Sequence, residues 1–201
     1  MKESVRMVVV LTVIAMASGF ILAQVYHWTY PTIQRNRAQA LAGSILAVLP
    51  GAVEFNVIEA HPAGGLEDDP TTLRSKPGSD SDPLLLYQGL DGNGNPVGFA
   101  FVSEGAGYGG IVKIMVGVGQ TDRLISGVAI LEHAETPNLG SKIEDESFRS
   151  QFVGKGIDDP IALGQDIDKI SGATVSSRAV AEAVSRDLGS ALQAYKEAAN
   201  Q

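Results

Sequence analysis

The stretch Asp168-Lys169-Ile170-Ser171-Gly172-Ala173-Thr174 is followed at once by a segment with the pattern of an amphipathic helix. Beyond it, apolar residues recur at intervals of three or four with charged residues between them, at Val180, Val184, Leu188, Leu192 and Tyr195. This spacing predicts a long surface helix with one buried face. The hydroxyl residues Ser171, Thr174 and Ser176 are of the types that cap the start of such a helix.

Thr174 is therefore expected in the first turn of this helix or just before it. Backbone N–H groups without partners and the positive end of the helix dipole favour a phosphate at such a place. Gly172 and Ala173 carry little or no side chain, so another molecule can approach the Thr174 hydroxyl closely. On spacing alone, a plain capped helix start is the more common explanation of these residue types.

The composition narrows the classes of function. The 201 residues are enough for one membrane segment and one domain of ordinary size. The net charge of -8 argues against a nucleic-acid partner, because phosphate contacts require clustered Lys and Arg. The chain has no cysteine, which excludes disulfides, Cys-ligated iron–sulfur clusters and thiol nucleophiles. The histidines His27, His61 and His133 lack metal-ligand spacing, and we predict no metal site.

Residues 7–26 form an uncharged, mostly apolar run near the N-terminus. The run has about the length needed to cross a bilayer core of ~30 Å at ~1.5 Å per helical residue. We predict a single transmembrane anchor over residues 1–27 that contacts membrane lipid through residues 7–26. A cleaved signal peptide is the alternative, although the run exceeds an ordinary signal-peptide core of roughly 7–15 residues.

The rest of the chain predicts a linking helix and one domain. Pro31 permits a new helix start, and the apolar spacing after it predicts a linking helix over residues 28–50. In the domain of residues 51–201, five strands are predicted at 52–58, 84–90, 97–102, 111–118 and 124–131, and a short helix at 144–152. Residues 61–83 are rich in Pro, Gly, Asp and Ser and indicate an exposed, mobile loop. The expected fold is α+β, a largely antiparallel sheet with helices packed mainly on one face, preceded by one N-terminal transmembrane helix.

The motif Asp168-x-x-Ser171-Gly172-Ala173-Thr174 resembles the flavinylation motif of the FMN-binding domain family, in which a flavin transferase joins FMN through its phosphate to the last threonine. A second block, Glu135-Thr136-Pro137-Asn138-Leu139-Gly140, resembles the family's Glu-Thr-Pro-Gly-Leu-Gly segment, which lines the isoalloxazine ring. Further blocks at residues 107–110, 148–152 and 154–155 follow the family's order. The resemblance covers about residues 84–195.

The resemblance implies a site. FMN would be the cofactor, joined by a phosphodiester to Thr174, with Ser171, Gly172 and Ala173 as the attachment motif. Four residues of the second block would face the flavin, namely Glu135, Thr136, Leu139 and Gly140. Lys142 is a further candidate for contact with the anionic phosphate or the reduced ring. Asn138 stands where the family prefers glycine, and asparagine tolerates a left-handed backbone better than most residues.

The family includes components of membrane redox complexes. An anchor with one domain of this length most resembles the G subunits of Rnf-type ion-translocating complexes, and the C subunits of sodium-pumping NADH:quinone reductases come next. Either resemblance implies an electron carrier that works with other subunits of a membrane redox complex and needs no substrate pocket of its own. A flavin transferase would be required for its maturation. Basic residues flank the apolar run almost evenly, so the resemblance alone places the C-terminal domain on the periplasmic or outer side of a bacterial inner membrane.

Two other functions are compatible with parts of the sequence. The chain could be a membrane-tethered binding or assembly module without a redox role, in which residues 171–174 only begin a helix. A hydrolase with Ser171 as its nucleophile is disfavoured, because the sequence has no Gly-x-Ser-x-Gly elbow and no nearby candidate histidine.

Overall fold

The computed structural model describes residues 2–60 and 84–199, and the loop expected over residues 61–83 lies outside them. Helix α1 spans Lys2–Val48 as one continuous helix. The helix start expected at Pro31 is not found, since Pro31 lies inside α1. The residues that follow it include several strong helix formers, and these continue the helix beyond the proline. The domain boundaries expected near residues 27 and 50 stay predictions.

The chain divides into two compact units, residues 1–41 and residues 42–201. The first unit is helical where it is described, and its apolar side chains from Met7 to Tyr26 are exposed. By length and composition, the part of α1 over Arg6–Val48 can cross a membrane, and it is the one such helix within the described residues. An exposed surface of this kind suits lipid and not water.

The second unit contains a five-stranded antiparallel sheet in the order β1-β2-β3-β4-β5. The strands are β1 (Glu54–Ala60), β2 (Leu84–Leu90), β3 (Pro96–Ala106), β4 (Ile111–Gly119) and β5 (Ile125–Glu132). All five expected strands are present, with bounds shifted by a few residues. Each strand pairs with its neighbour in sequence, as expected of an antiparallel sheet whose successive strands lie side by side.

Large apolar side chains fill one face of the sheet. Helix α3 (Thr174–Ala198) packs there, and the predicted helix is confirmed. The buried cluster joins Phe99, Phe101, Ile114, Val116 and Val118 of the sheet to Val180, Val184, Leu188 and Leu192 of the helix. The α+β fold expected from the sequence is therefore confirmed.

The opposite face of the sheet carries glycines where the end of α1 meets it. A Cβ on Gly117 would lie 2.2 Å from the carbonyl oxygen of Val48, and a Cβ on Gly127 would lie 2.9 Å from the Val48 Cα. The last turn of α1 thus approaches the strand backbones at a distance that only glycine permits. The Ser126 hydroxyl donates to the Val48 carbonyl at 2.6 Å, and Ile45, like Val48, is buried.

Short helical segments connect β5 to the long helix. A 3-10 helix at Gly140–Glu144, helix α2 (Glu146–Arg149) and a second 3-10 helix at Ser150–Phe152 replace the single helix expected over residues 144–152. Phe148 and Phe152 are buried in edge-to-face contact with ring centroids 5.5 Å apart, as their spacing of four residues allows. They fix these segments against the core.

Candidate functional site

Helix α3 begins at Thr174 without a side-chain cap. Its N-cap residue is Ala173, and no side chain accepts a hydrogen bond as a cap of this helix. The expectation that hydroxyl side chains cap this helix is wrong, and the buried Ser176 hydroxyl donates to Glu135 instead. The first N–H groups of the helix remain available to an external anion.

The attachment motif lies directly against the second block. Gly172 adopts a φ of 80°, and a Cβ at this position would meet Leu139 Cδ1 at 2.9 Å. A side chain at residue 172 would therefore be strained by its backbone and would also collide with Leu139. Thr174 is half-buried, whereas Ser171 is exposed. The structure thus brings together two blocks that lie about thirty residues apart in the sequence.

Two polar contacts hold the attachment motif in place. The Asp168 N–H donates to Gln151 Oε1 at 2.6 Å, and the Ile170 N–H donates to the Ser177 hydroxyl at 3.1 Å. The Ser177 hydroxyl in turn donates to the Ala173 carbonyl at 2.9 Å. Sequence reasoning did not find the roles of Gln151 and Ser177, because neither contact follows a local pattern.

The loop before the motif is organised by Asp166. Its carboxylate accepts hydrogen bonds from the backbone N–H groups of Ile161 and Ala162 and pairs with Lys155 at 3.0 Å. Partial burial raises the pKa of Asp166, but the Ala162 N–H bond and the charge of Lys155 together outweigh it, so the pKa lies below its ordinary value. Lys155 belongs to a block that the resemblance singled out, and its contact here is structural.

Glu135 is a buried carboxylate at the centre of the site. Its side chain is 6% exposed. Oε2 accepts a hydrogen bond from the Ser176 hydroxyl at 2.6 Å, and Oε1 accepts one from the Gly109 N–H at 3.1 Å. One side chain therefore links the turn after β3, the second block and the first turn of α3.

His133 supports the backbone of the same block. The Glu135 N–H donates to His133 Nδ1 at 3.1 Å, and His133 Nε2 lies 3.0 Å from Glu144 Oε1. Because Nδ1 accepts a hydrogen bond, we assign the ring proton to Nε2, which donates to Glu144. The histidine is thereby fixed between two segments of the site.

Exposed apolar side chains lie in the segments that form the site. Tyr108 is 75% exposed, Val175 51% and Leu139 43%. Large apolar side chains that remain at the surface beside an uncapped helix start are suited to contact an aromatic ligand.

The remaining predicted site residues differ in their exposure. Gly140 and Ala173 are buried, Thr136 is exposed, and Lys142 is exposed in part or in full depending on how much of its long side chain lies along the surface. Asn138 has a φ of 60°, the left-handed conformation that asparagine tolerates at a position where the family prefers glycine. Contact of each of these residues with a flavin stays a prediction.

Comparisons with known proteins agree with this geometry. Residues 107–189 match the family described as FMN-binding domain. The G subunit of the ion-translocating oxidoreductase complex of Methanosarcina acetivorans is 31% identical over 186 residues, which cover 91% of this chain and 92% of that protein. The G subunit of the Na(+)-translocating ferredoxin:NAD(+) oxidoreductase complex of Acetobacterium woodii is 30% identical over 199 residues, which cover 93% of this chain and 91% of that protein.

Solved structures of a second protein group share the fold. NqrC of Shewanella oneidensis aligns with a TM-score of 0.65 at 19% identity, and the alignment covers 84% of this chain and 100% of that one. The Na(+)-translocating NADH-quinone reductase protein of the same type from Parabacteroides distasonis aligns with a TM-score of 0.59 at 20% identity and covers 84% and 94%. At this identity the likeness concerns the fold alone. By the extent and level of identity to the relatives above, the chain belongs to the family of G subunits of ion-translocating oxidoreductase complexes.

Proposed function

We propose that this chain is the electron-carrier component of a membrane-bound, Rnf-type ion-translocating oxidoreductase complex, and that it carries FMN joined through its phosphate to Thr174. The observation that supports this proposal most is the start of α3, where Thr174 begins an uncapped helix directly beside the second block. Relatives that span most of the chain are named as G subunits of such complexes.

The start of α3 fits a phosphodiester. No side chain of the described residues caps the N–H groups of the first turn. A phosphate on Thr174 Oγ1 would lie at the positive end of the helix dipole, which favours an anion by about 0.3–1 kcal/mol. The exposed motif residues Ser171 and Gly172 leave the hydroxyl accessible to a transferase.

The surroundings of Thr174 also fit an aromatic ring. Tyr108, Leu139 and Val175 present apolar surface that the protein itself leaves exposed. We assign contact with the isoalloxazine to this surface, together with Thr136 and Gly140 of the second block, and contact with anionic groups to Lys142. When bound, FMN supplies the ability to accept and donate electrons, and the residues named here bind and orient it.

Attachment requires no redox change. With a flavin adenine dinucleotide as donor and a flavin transferase as catalyst, the bond between Thr174 Oγ1 and the FMN phosphorus forms. The bond from that phosphorus to the AMP oxygen breaks, and AMP leaves while the hydroxyl proton is released. The product has the mass of the chain plus FMN less one water.

The proposed location explains a covalent link. We place residues 7–26 in the lipid of a bacterial inner membrane as a single pass, with the C-terminal domain on the periplasmic or outer side. A flavin that dissociated from an exported carrier could not be replaced readily from the cytoplasmic pool. The other subunits of the redox complex are the electron partners.

The test is to co-express the full chain with a flavin transferase, extract it in detergent and denature it. Flavin fluorescence should stay with the protein band, the intact mass should rise by FMN less water, and peptide mapping should place the adduct on Thr174. Expression without the transferase is the control and should give the unmodified mass. An unmodified chain in the presence of an active transferase would favour the non-redox assembly module.

The C subunits of sodium-pumping quinone reductases remain the second candidate, because their solved structures share the fold. The native mass of the complex extracted with the chain, and the identities of its other subunits, distinguish the two. Rnf-type partners support the proposal, and quinone-reductase partners contradict it.

A further inference from the structure

We propose that Glu135 is a positioning residue whose bond to Ser176 sets the first turn of α3, and with it the Thr174 hydroxyl, for flavin attachment. The inference rests on the proposed function and adds a role for a contact that the attachment motif does not contain. Ser176 lies two residues beyond Thr174 and 41 residues from Glu135 in the sequence. The bond therefore joins the attachment helix to a distant segment.

The contacts of Glu135 account for this role. Oε2 is occupied by the Ser176 hydroxyl at 2.6 Å and Oε1 by the Gly109 N–H at 3.1 Å. A buried carboxylate is costly to leave without donors, so both partners are held to it. Since both oxygens face donors from the protein, Glu135 acts on the site through these neighbours, while Leu139 and Tyr108 remain exposed for contact with the ring.

Two glycines make room for the carboxylate. A Cβ on Gly107 would lie 2.1 Å from Glu135 Oε1. A Cβ on Gly140 would lie 2.4 Å from Glu135 Oε2 and 2.9 Å from Ser176 Oγ. Real Cβ atoms do not approach other atoms this closely, so either position with a side chain would displace the carboxylate. The two glycines come from different blocks, and both are shaped around the same side chain.

The backbone of Glu135 is fixed independently of its side chain. Its N–H donates to His133 Nδ1, and the other ring nitrogen contacts Glu144. The carboxylate consequently projects from an anchored backbone, so its position is transmitted to Ser176 and not absorbed by the loop. A displacement of even about 1 Å at a reacting group can slow a reaction by about a hundredfold.

The same helix contains a matched pair that is remote from the site. The buried Ser103 hydroxyl donates to Asp187 Oδ2 at 2.5 Å and joins β3 to the middle of α3. This pair and the Ser176–Glu135 pair both tie α3 to another segment through one hydroxyl and one carboxylate. Only the latter lies beside Thr174, so the former separates loss of stability from loss of positioning.

The experiment follows flavin attachment to the full chain in detergent with a purified flavin transferase and flavin adenine dinucleotide. Intact mass gives the rate of attachment, and circular dichroism gives the Tm of each variant before attachment. We expect Ser176→Ala to attach flavin about tenfold or more slowly, and Ser103→Ala to stay within about twofold of the unmodified sequence at a similar loss of Tm. Ser176→Thr, which keeps the hydroxyl, should recover most of the rate.

A second variant covers the case in which Ser176→Ala does not fold. Glu135→Gln keeps the volume of the side chain but replaces one accepting oxygen with an amide NH₂ donor, so one of its two contacts must rearrange. Slow attachment to folded Glu135→Gln, with a changed visible circular dichroism of the flavin that does attach, supports the proposal. Equal rates for the Ser176→Ala, Glu135→Gln and Ser103→Ala proteins overturn it. If the unmodified sequence itself attaches no flavin, the proposed function fails and not this inference alone.

Discussion

At its N-terminal end helix α3 starts at Thr174 without a side-chain cap, whereas near its C-terminal end Tyr195 is buried and fully engaged. Tyr195 stacks on Phe99 with ring centroids 4.3 Å apart, accepts a hydrogen bond from Gln88 at 2.9 Å and donates one to Gln120 at 2.8 Å. One end leaves polar groups and apolar surface for a ligand, and the other satisfies both within the protein. Stability and binding are therefore separated along a single helix.

The most severe test of this comparison is Thr174→Val. Valine keeps the β-branched shape but lacks the oxygen through which a phosphodiester must form, so covalent flavin should be lost completely. The free energy of unfolding should fall by no more than ~1 kcal/mol, because the helix has no side-chain cap at this place to lose. Intact mass after co-expression with the transferase measures the first effect and denaturant unfolding the second. Thr174→Ser keeps the hydroxyl and should still be modified, and an adduct on the valine variant, at Ser176 or Ser177, would contradict the assignment.

At the opposite end Tyr195→Ala should do the reverse. Removal of a buried aromatic side chain from the core costs about 3–5 kcal/mol of unfolding free energy. The chain that remains folded should accept flavin at Thr174 normally, because Tyr195 lies about six turns along the helix from the site. Thermal unfolding and intact mass check the two statements. If attachment fell while the protein was still folded, the two ends would not be independent.

Gly172→Ala tests how closely the binding end is shaped. The residue has a φ of 80°, and its new Cβ would meet Leu139 Cδ1, so we expect a loss of ~1–2 kcal/mol and slower attachment. Gly164→Ala is the control, since Gly164 has a φ of 79° with no atom near the position of a Cβ. It should show the backbone cost with a normal rate of attachment. Equal rates for the two variants would mean that the contact with Leu139 does not matter.

The smallest effect is expected from Tyr195→Phe. This variant keeps the stack on Phe99 but removes both hydrogen bonds of the hydroxyl. We expect a loss of about 1 kcal/mol, because Gln88 and Gln120 are partly exposed and can bond to water instead. Denaturant unfolding compared with Tyr195→Ala would then divide the contribution of this end into packing and polar parts.

Local patterns predicted the elements of the domain well. The five strands, the long C-terminal helix and the place of Thr174 in its first turn all follow from periodicity and turn residues. The continuation of α1 through Pro31 was not predicted, because a proline lowers helix stability without always ending the helix. The packing of α1 on Gly117 and Gly127 was not predicted either, since a glycine within a strand does not show what approaches it.

The sequence by itself determined where α3 begins and which residue opens it, because helix periodicity and backbone preference act over a few neighbouring residues. It also indicated the left-handed backbone of Asn138, which depends on that residue alone. Only the tertiary structure decided that Ser176 bonds to Glu135 and leaves the helix uncapped, and that Gln151 holds the motif at Asp168. These contacts join residues 41 and 17 positions apart, and such pairs meet only when the folded core brings their segments together.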